Sequence, residues 1–145
     1  MATSTTPPST ASTPAEGGAA RAHRILVTIF LAGAVLNFAL AGLGAFKFES
    51  EESSAFDPHA ALGSLLTLIA LIALILAVVG RKQAQQASIV LFVLMIVQTV
   101  LAWAGTDAPA VGALHPLNGL LILAVAGMAI AGRPVQFAHG RTTAT

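Results

Sequence analysis

Cysteine is absent from the 145 residues, and charged residues make up only 9% of them. Without cysteine there is no disulfide, thiolate metal site, iron–sulfur cluster or cysteine nucleophile. Soluble domains carry about 25% charged residues, so the shortage of charge excludes an ordinary water-soluble globule. The seven basic residues are scattered and leave a formal net charge of +1, which is no footprint for nucleic acid. No P-loop, dinucleotide-binding glycine fingerprint or serine-hydrolase elbow occurs in the chain. What abounds instead is apolar: 56% of residues are hydrophobic and the mean hydropathy is +0.84. The composition points to a protein whose partner is the lipid bilayer.

Residues 1–22 are mostly Thr, Ser, Pro, Ala and Gly. Their apolar surface is too small to offset the entropy of ordering, so they read as a disordered tail. Four apolar runs follow, at about 25–46, 59–80, 87–104 and 114–132, with no Asp, Glu, Lys or Arg inside the last three and none before Lys47 in the first. Each is long enough to cross about 30 Å of hydrocarbon at 1.5 Å per residue. Backbone groups in lipid must pair internally, so each run is expected to be a helix. The first run is long enough to remain as a span rather than to be removed as a signal. The connections, KFESEESSAFDP, RKQAQQ and TDAPAVGA, are short and polar, and residues 135–145 read as a second short tail. The fold class expected is therefore all-α integral membrane, a four-helix up-down bundle spanning residues 23–134. Arg21, Arg24, Arg81, Lys82, Arg133 and Arg141 share the side of both termini, and only Lys47 lies opposite. Glu49, Glu51, Glu52, Asp57 and Asp107 fall on that opposite side. The positive-inside distribution places both termini in the cytoplasm and the protein in the cell membrane. Trp103 and Phe46 then mark the outer interface.

The two halves match in register. Asn37-x-x-Leu40-Ala41-x-x-Gly44 in the first run corresponds to Gln98-x-x-Leu101-Ala102-x-x-Gly105 in the third. His59 opens the second run, with Gly63, Leu66, Ala70 and Ala73 following along one helical face. His115 opens the fourth, with Gly119, Ile122, Ala126 and Ala129 at the same offsets. Alanine is abundant, so the weight of the match rests on the Asn/Gln, His and Gly positions. A bundle of two repeated helical hairpins is expected, related by a pseudo-two-fold axis along the membrane normal.

Polar side chains in lipid are costly and tend to face the bundle interior. Asn37, His59, Gln98, His115 and Asn118 all fall in the outer half. The inner half offers Thr28, Thr67 and Ser88, which are able to bond back to their own helices. Two histidines at equal depth suggest a shared ligand, and a Gly four residues after each leaves room one turn deeper for a flat macrocycle. Iron porphyrin suits such a gap, because neutral His is a common axial ligand. The site expected is one haem per chain on His59 and His115, beside Gly63 and Gly119, with Asn37, Gln98 and Asn118 orienting the imidazoles or bonding the propionates. Each residue also has a plainer reading. A His at a helix start serves as an amphipathic end group, glycines allow close helix packing, and Asn and Gln act as interhelical glue. Pro58 and Pro116 are ordinary helix-start residues, and Asp57 is placed to cap the second helix. His23 and His139, flanked by Arg, read as solvated, and Glu49, Glu51 and Glu52 read as a wetted loop.

Over about residues 25–132 the pattern of four helices with His59 and His115 at the outer ends of the second and fourth resembles one half of haem A synthase. That family joins two such bundles, each with a His pair facing a haem, and the resemblance implies the same role for His59 and His115. This chain has one bundle, no Cys pair in an outer loop, Ala60 directly after His59 in place of the family's Arg, and Asp57 as the nearest acid in place of its Glu. The enzymatic activity, which uses both haem sites, is not implied. The chain also resembles small uncharacterised four-span proteins of high-GC bacteria that share the His-Pro-x-Asn-Gly segment. The function expected is a b-type cytochrome-like haem protein serving electron transfer or haem handling, with a quinone or redox protein as partner and a homo-oligomer as an option. A cofactor-free scaffold or accessory subunit is the alternative. A solute or proton pathway is disfavoured by the absence of any carboxylate or Lys inside the spans.

Overall fold

The computed structural model describes residues 17–48, 54–80 and 82–133. They form α1 (Gly18–Phe48), α2 (Asp57–Gly80), α3 (Lys82–Ala104), the short α4 (Pro109–Gly112) and α5 (Leu114–Ala131), with no strand among the described residues. Four helical segments, Gly18–Lys47, Asp57–Gly80, Ala84–Ala104 and Pro109–Ala131, are long and apolar enough to cross a membrane. The chain is thus a multi-pass, all-helical membrane protein. Glu49, Glu51, Glu52, Arg81, His139 and Arg141, like most of both tails, lie outside the described residues.

Each helix packs on two neighbours: α1 on α2 and α5, and α3 on the same pair. α1 therefore faces α3 across the bundle centre, and α2 faces α5. The core joins Val27, Phe30 and Ala34 of α1 to Leu66, Ala70 and Ala73 of α2, Ala87, Leu91 and Met95 of α3, and Ile122, Val125, Ala126 and Ala129 of α5. Toward the end that carries the termini the core side chains are mostly alanine (Ala73, Ala77, Ala84, Ala87, Ala126, Ala129). Small side chains let the backbones approach closely, as packing in lipid requires. At the opposite, distal end, where α1 turns into α2 and α3 into α5, lie Asn37, His59, Gln98 and His115. Leu, Ile and Val on the outward faces are exposed, which suits contact with acyl chains.

α1 starts at Gly18, inside the segment expected to be a tail, and α3 starts at Lys82 rather than 87. The reason lies in the buried face. Ala20, His23, Val27, Phe30 and Ala34 are buried at spacings of three and four, so the core stripe of α1 begins before its apolar run does. Ala84, Ala87, Ser88, Leu91 and Met95 do the same for α3. Arg21 and Arg24 point outward and are exposed. The short polar connection after α3 contains α4, opened by Pro109 at its first turn, where the missing N–H removes no bond. α5 closes on Gly132 at φ 66°. Gly132 N–H donates to Ala129 O and Arg133 N–H to Met128 O, a Schellman end that a residue with a Cβ would strain. Asp57 stands in the first turn of α2, where its charge complements the helix dipole.

The repeated glycines have a use that spacing did not reveal. A Cβ on Gly44 would lie 2.9 Å from Ala55 O, and one on Gly105 would lie 2.7 Å from Gly112 Cα. Both mark where the returning chain crosses a helix end at backbone contact. Gly105→Ala is expected to destabilise the bundle by about 1–3 kcal/mol, because backbone atoms have little room to yield. Gly42→Ala, with nothing within 4 Å of the added carbon, should be neutral. Denaturant titration in detergent checks both, and equal midpoints would contradict the account.

Candidate functional site

The distal half of the bundle encloses a cavity of about 290 Å³ lined by all four long helices. Asn37, His59, Gly63, Gln98, His115 and Gly119 line it, with Phe38, Thr67, Met95 and Thr99 among the others. No charged side chain is among the lining residues.

The histidines are held in matching ways. His59 Nδ1–H donates to the backbone carbonyl of Asn37 on the neighbouring α1, at 3.0 Å. His115 Nδ1–H donates to the carbonyl of Gln98 on the neighbouring α3, at 3.1 Å. A carbonyl only accepts, so each Nδ1 must carry the proton, and in the neutral ring Nε2 keeps its lone pair. The rings meet across the bundle from the facing helices α2 and α5, with centroids 5.9 Å apart and planes at 64°. Two imidazoles are thereby fixed in the tautomer that ligates through Nε2.

The amides hold equivalent positions and unequal partners. A Cβ on Gly63 would lie 3.6 Å from Asn37 Nδ2, and one on Gly119 would lie 3.6 Å from Gln98 Nε2. Each glycine thus faces the amide on the other helix of its own hairpin. Gly119 also meets Phe38, whose ring tip would stand 2.7 Å from an added Cβ, so the space beside Gly119 is filled and the space beside Gly63 is not. Asn118 is only 7% exposed and does not line the cavity. Its Nδ2 donates to Gln98 Oε1 at 2.7 Å and to Leu94 O at 2.9 Å, pinning the amide of Gln98. Asn37 has no such support, since Leu62 occupies the position that Asn118 takes in the other hairpin. Its Oδ1 is buried without a hydrogen-bond partner.

One polar contact was missed. His23, expected to be solvated, is fully buried and shares a 2.8 Å hydrogen bond between its Nε2 and Ser88 Oγ. The bond ties α1 to α3 across the bundle centre near the terminal end. Ser88 accordingly serves another helix, whereas Thr28 and Thr67 bond to Arg24 O and Gly63 O on their own helices, as expected. The signal was available in the spacing, because His23 continues the stripe of Val27, Phe30 and Ala34. Val27, Phe30 and Leu91, fully buried and apolar, follow His23 and Ser88 along the core stripes of α1 and α3.

Fold and site together define a multi-pass membrane four-helix protein with a largely apolar cavity at one end into which two histidines and two amides project. Residues 37–106, from the distal half of α1 through α3, match a family of unknown function, DUF6220. The matched segment contains Asn37, His59, Gly63 and Gln98 and stops before His115. No curated protein and no solved structure matches the chain, and none of these findings links it to haem A synthase.

Ser88→Ala should destabilise the protein by about 1–3 kcal/mol, since it leaves a buried imidazole nitrogen without its partner. Thr28→Ala, which removes an exposed hydroxyl bonded within its own helix, should change little. Denaturation in detergent compares them, and an unaffected Ser88→Ala would show that the cross-bundle bond contributes nothing.

Proposed function

We propose that this chain is a small integral-membrane haem protein that holds one haem between His59 and His115 near the distal face. The observation that carries the reading is the paired Nδ1–H to carbonyl bond, which presets both imidazoles as Nε2 ligands on facing helices. A metal bound in line between two imidazole nitrogens at about 2.0–2.1 Å from each would set the ring centroids about 6.4 Å apart; here they are 5.9 Å apart, so the rings would separate by about half an ångström to admit it. Among the described residues no group of three or more His, Cys, Asp or Glu is placed to hold a metal ion. Two protein ligands suit a metal that brings the rest of its coordination with it, as porphyrin iron does. The bound group would supply one-electron chemistry at the iron. The chain's own residues would orient the axial imidazoles through the carbonyls of Asn37 and Gln98, enclose the macrocycle in an uncharged cavity, and exclude water from the terminal side through the alanine-lined core.

The distribution of Lys and Arg puts the termini in the cytoplasm and the site toward the outer face of the cell membrane. A haem at one face does not by itself move electrons across about 30 Å of hydrocarbon. Electron transfer therefore calls for a quinone or a redox protein as partner, and haem handling calls for a donor or acceptor of haem. Either role fits a chain built around a single site.

The full chain, expressed with ample haem and purified in detergent, is expected to show a reducible low-spin spectrum at about one haem per chain. His59→Ala and His115→Ala should each abolish it. A featureless spectrum, or a low-spin signal retained in both variants, would overturn the reading.

A further inference from the structure

The two hairpins are equivalent in their histidines and unequal in their amides, and the inequality identifies a ligand contact. In the second hairpin the amide oxygen of Gln98 is satisfied by Asn118 Nδ2 at 2.7 Å. In the first, Leu62 replaces that donor and the Oδ1 of Asn37 is buried with none. A buried acceptor without a donor is destabilising, and such groups in native proteins call for an explanation. The explanation is not that Asn37 anchors His59, because that bond uses the backbone carbonyl of Asn37 and any residue supplies one. The side chain is spare in the protein alone.

We infer that the Asn37 amide pairs with a carboxyl group of the bound haem, accepting its O–H at Oδ1 and donating Nδ2–H to its carbonyl oxygen, whereas the Gln98 amide oxygen is already held by Asn118. The inference rests on the haem reading and adds to it the identity and side of the polar contact. Oδ1 and Nδ2 of an asparagine are nearly isosteric, and the terminal torsion that turns them is soft, so the amide presents both atoms to one partner at little cost. No Lys or Arg lines the cavity to pair with a carboxylate. A carboxyl brought into such surroundings keeps its proton, and the neutral acid has the O–H that Oδ1 lacks. The polar edge of the macrocycle would then lie between α1 and α2, where Asn37 faces Gly63, and away from the Phe38 ring that fills the space beside Gly119.

The test is a two-by-two comparison on the full chain in detergent, wild type and Asn37→Leu each titrated with iron protoporphyrin and with its dimethyl ester. Esterification should weaken wild-type binding about tenfold, as loss of a buried hydrogen-bonded contact does. Asn37→Leu should weaken binding of the free acid by a similar factor and be indifferent to esterification. Without haem, Asn37→Leu should melt at a higher temperature than wild type, and Gln98→Leu at a lower one because it removes one of the two acceptors of the buried Asn118 Nδ2. Equal wild-type affinity for acid and ester would overturn the contact and leave the haem reading standing. So would losses that multiply in Asn37→Leu, or an apo variant that is less stable than wild type. Wild type that binds neither porphyrin would overturn both.

Discussion

A hydrogen bond from an imidazole Nδ1–H to a carbonyl on the next helix sets up everything else at the distal end. Helix carbonyls are already engaged along the helix, yet each keeps a second lone pair. His59 and His115 use the ones on Asn37 and Gln98. Because the acceptor carries no hydrogen, the bond fixes the tautomer as well as the ring orientation. It also joins α2 to α1 and α5 to α3, so each hairpin is locked by the residue that prepares the site. The cavity lies between the hairpins at the end where the two rings meet.

Much of the fold was legible because the bilayer leaves few alternatives. Runs of about twenty apolar residues must be helices, and all four spans occur where hydropathy put them. The helix starts were misplaced for a physical reason. Apolarity reports what faces lipid, whereas the helices of the bundle begin where a buried stripe begins, at Ala20 on α1 and Ala84 on α3. His23 shows the same point in a single residue. Its arginine neighbours suggested water, but its place one turn before Val27 put it in the core. Of the positions singled out in the sequence, His59, His115, Asn37, Gln98, Gly63 and Gly119 line one cavity, whereas Asn118 stands behind Gln98 and does not. The partners of the histidines were not legible, because the bonds run from side chain to backbone and carry no residue type to recognise.

Departures from two-fold symmetry carry more functional information than the symmetry itself. Matching positions hold the two histidines, which is what a ligand shared across an axis requires. Phe38 and Thr99 stand at equivalent places in the repeat, yet only Phe38 fills the space beside its glycine. Asn118 satisfies Gln98, and Leu62 offers Asn37 nothing. On the haem reading proposed above, the amide oxygen buried without a donor is where the polar edge of the macrocycle would be held.

Electron paramagnetic resonance of the oxidised, haem-loaded protein tests the central claim most directly, because it reads ligand identity and ligand orientation together. Two neutral imidazoles held with their planes 64° apart predict a single strongly anisotropic low-spin ferric signal, the kind given by axial rings far from parallel. A high-spin signal would mean that one histidine does not ligate. A rhombic low-spin signal, as parallel rings give, would mean that the carbonyls of Asn37 and Gln98 do not set the rings as described, and either result would contradict the account.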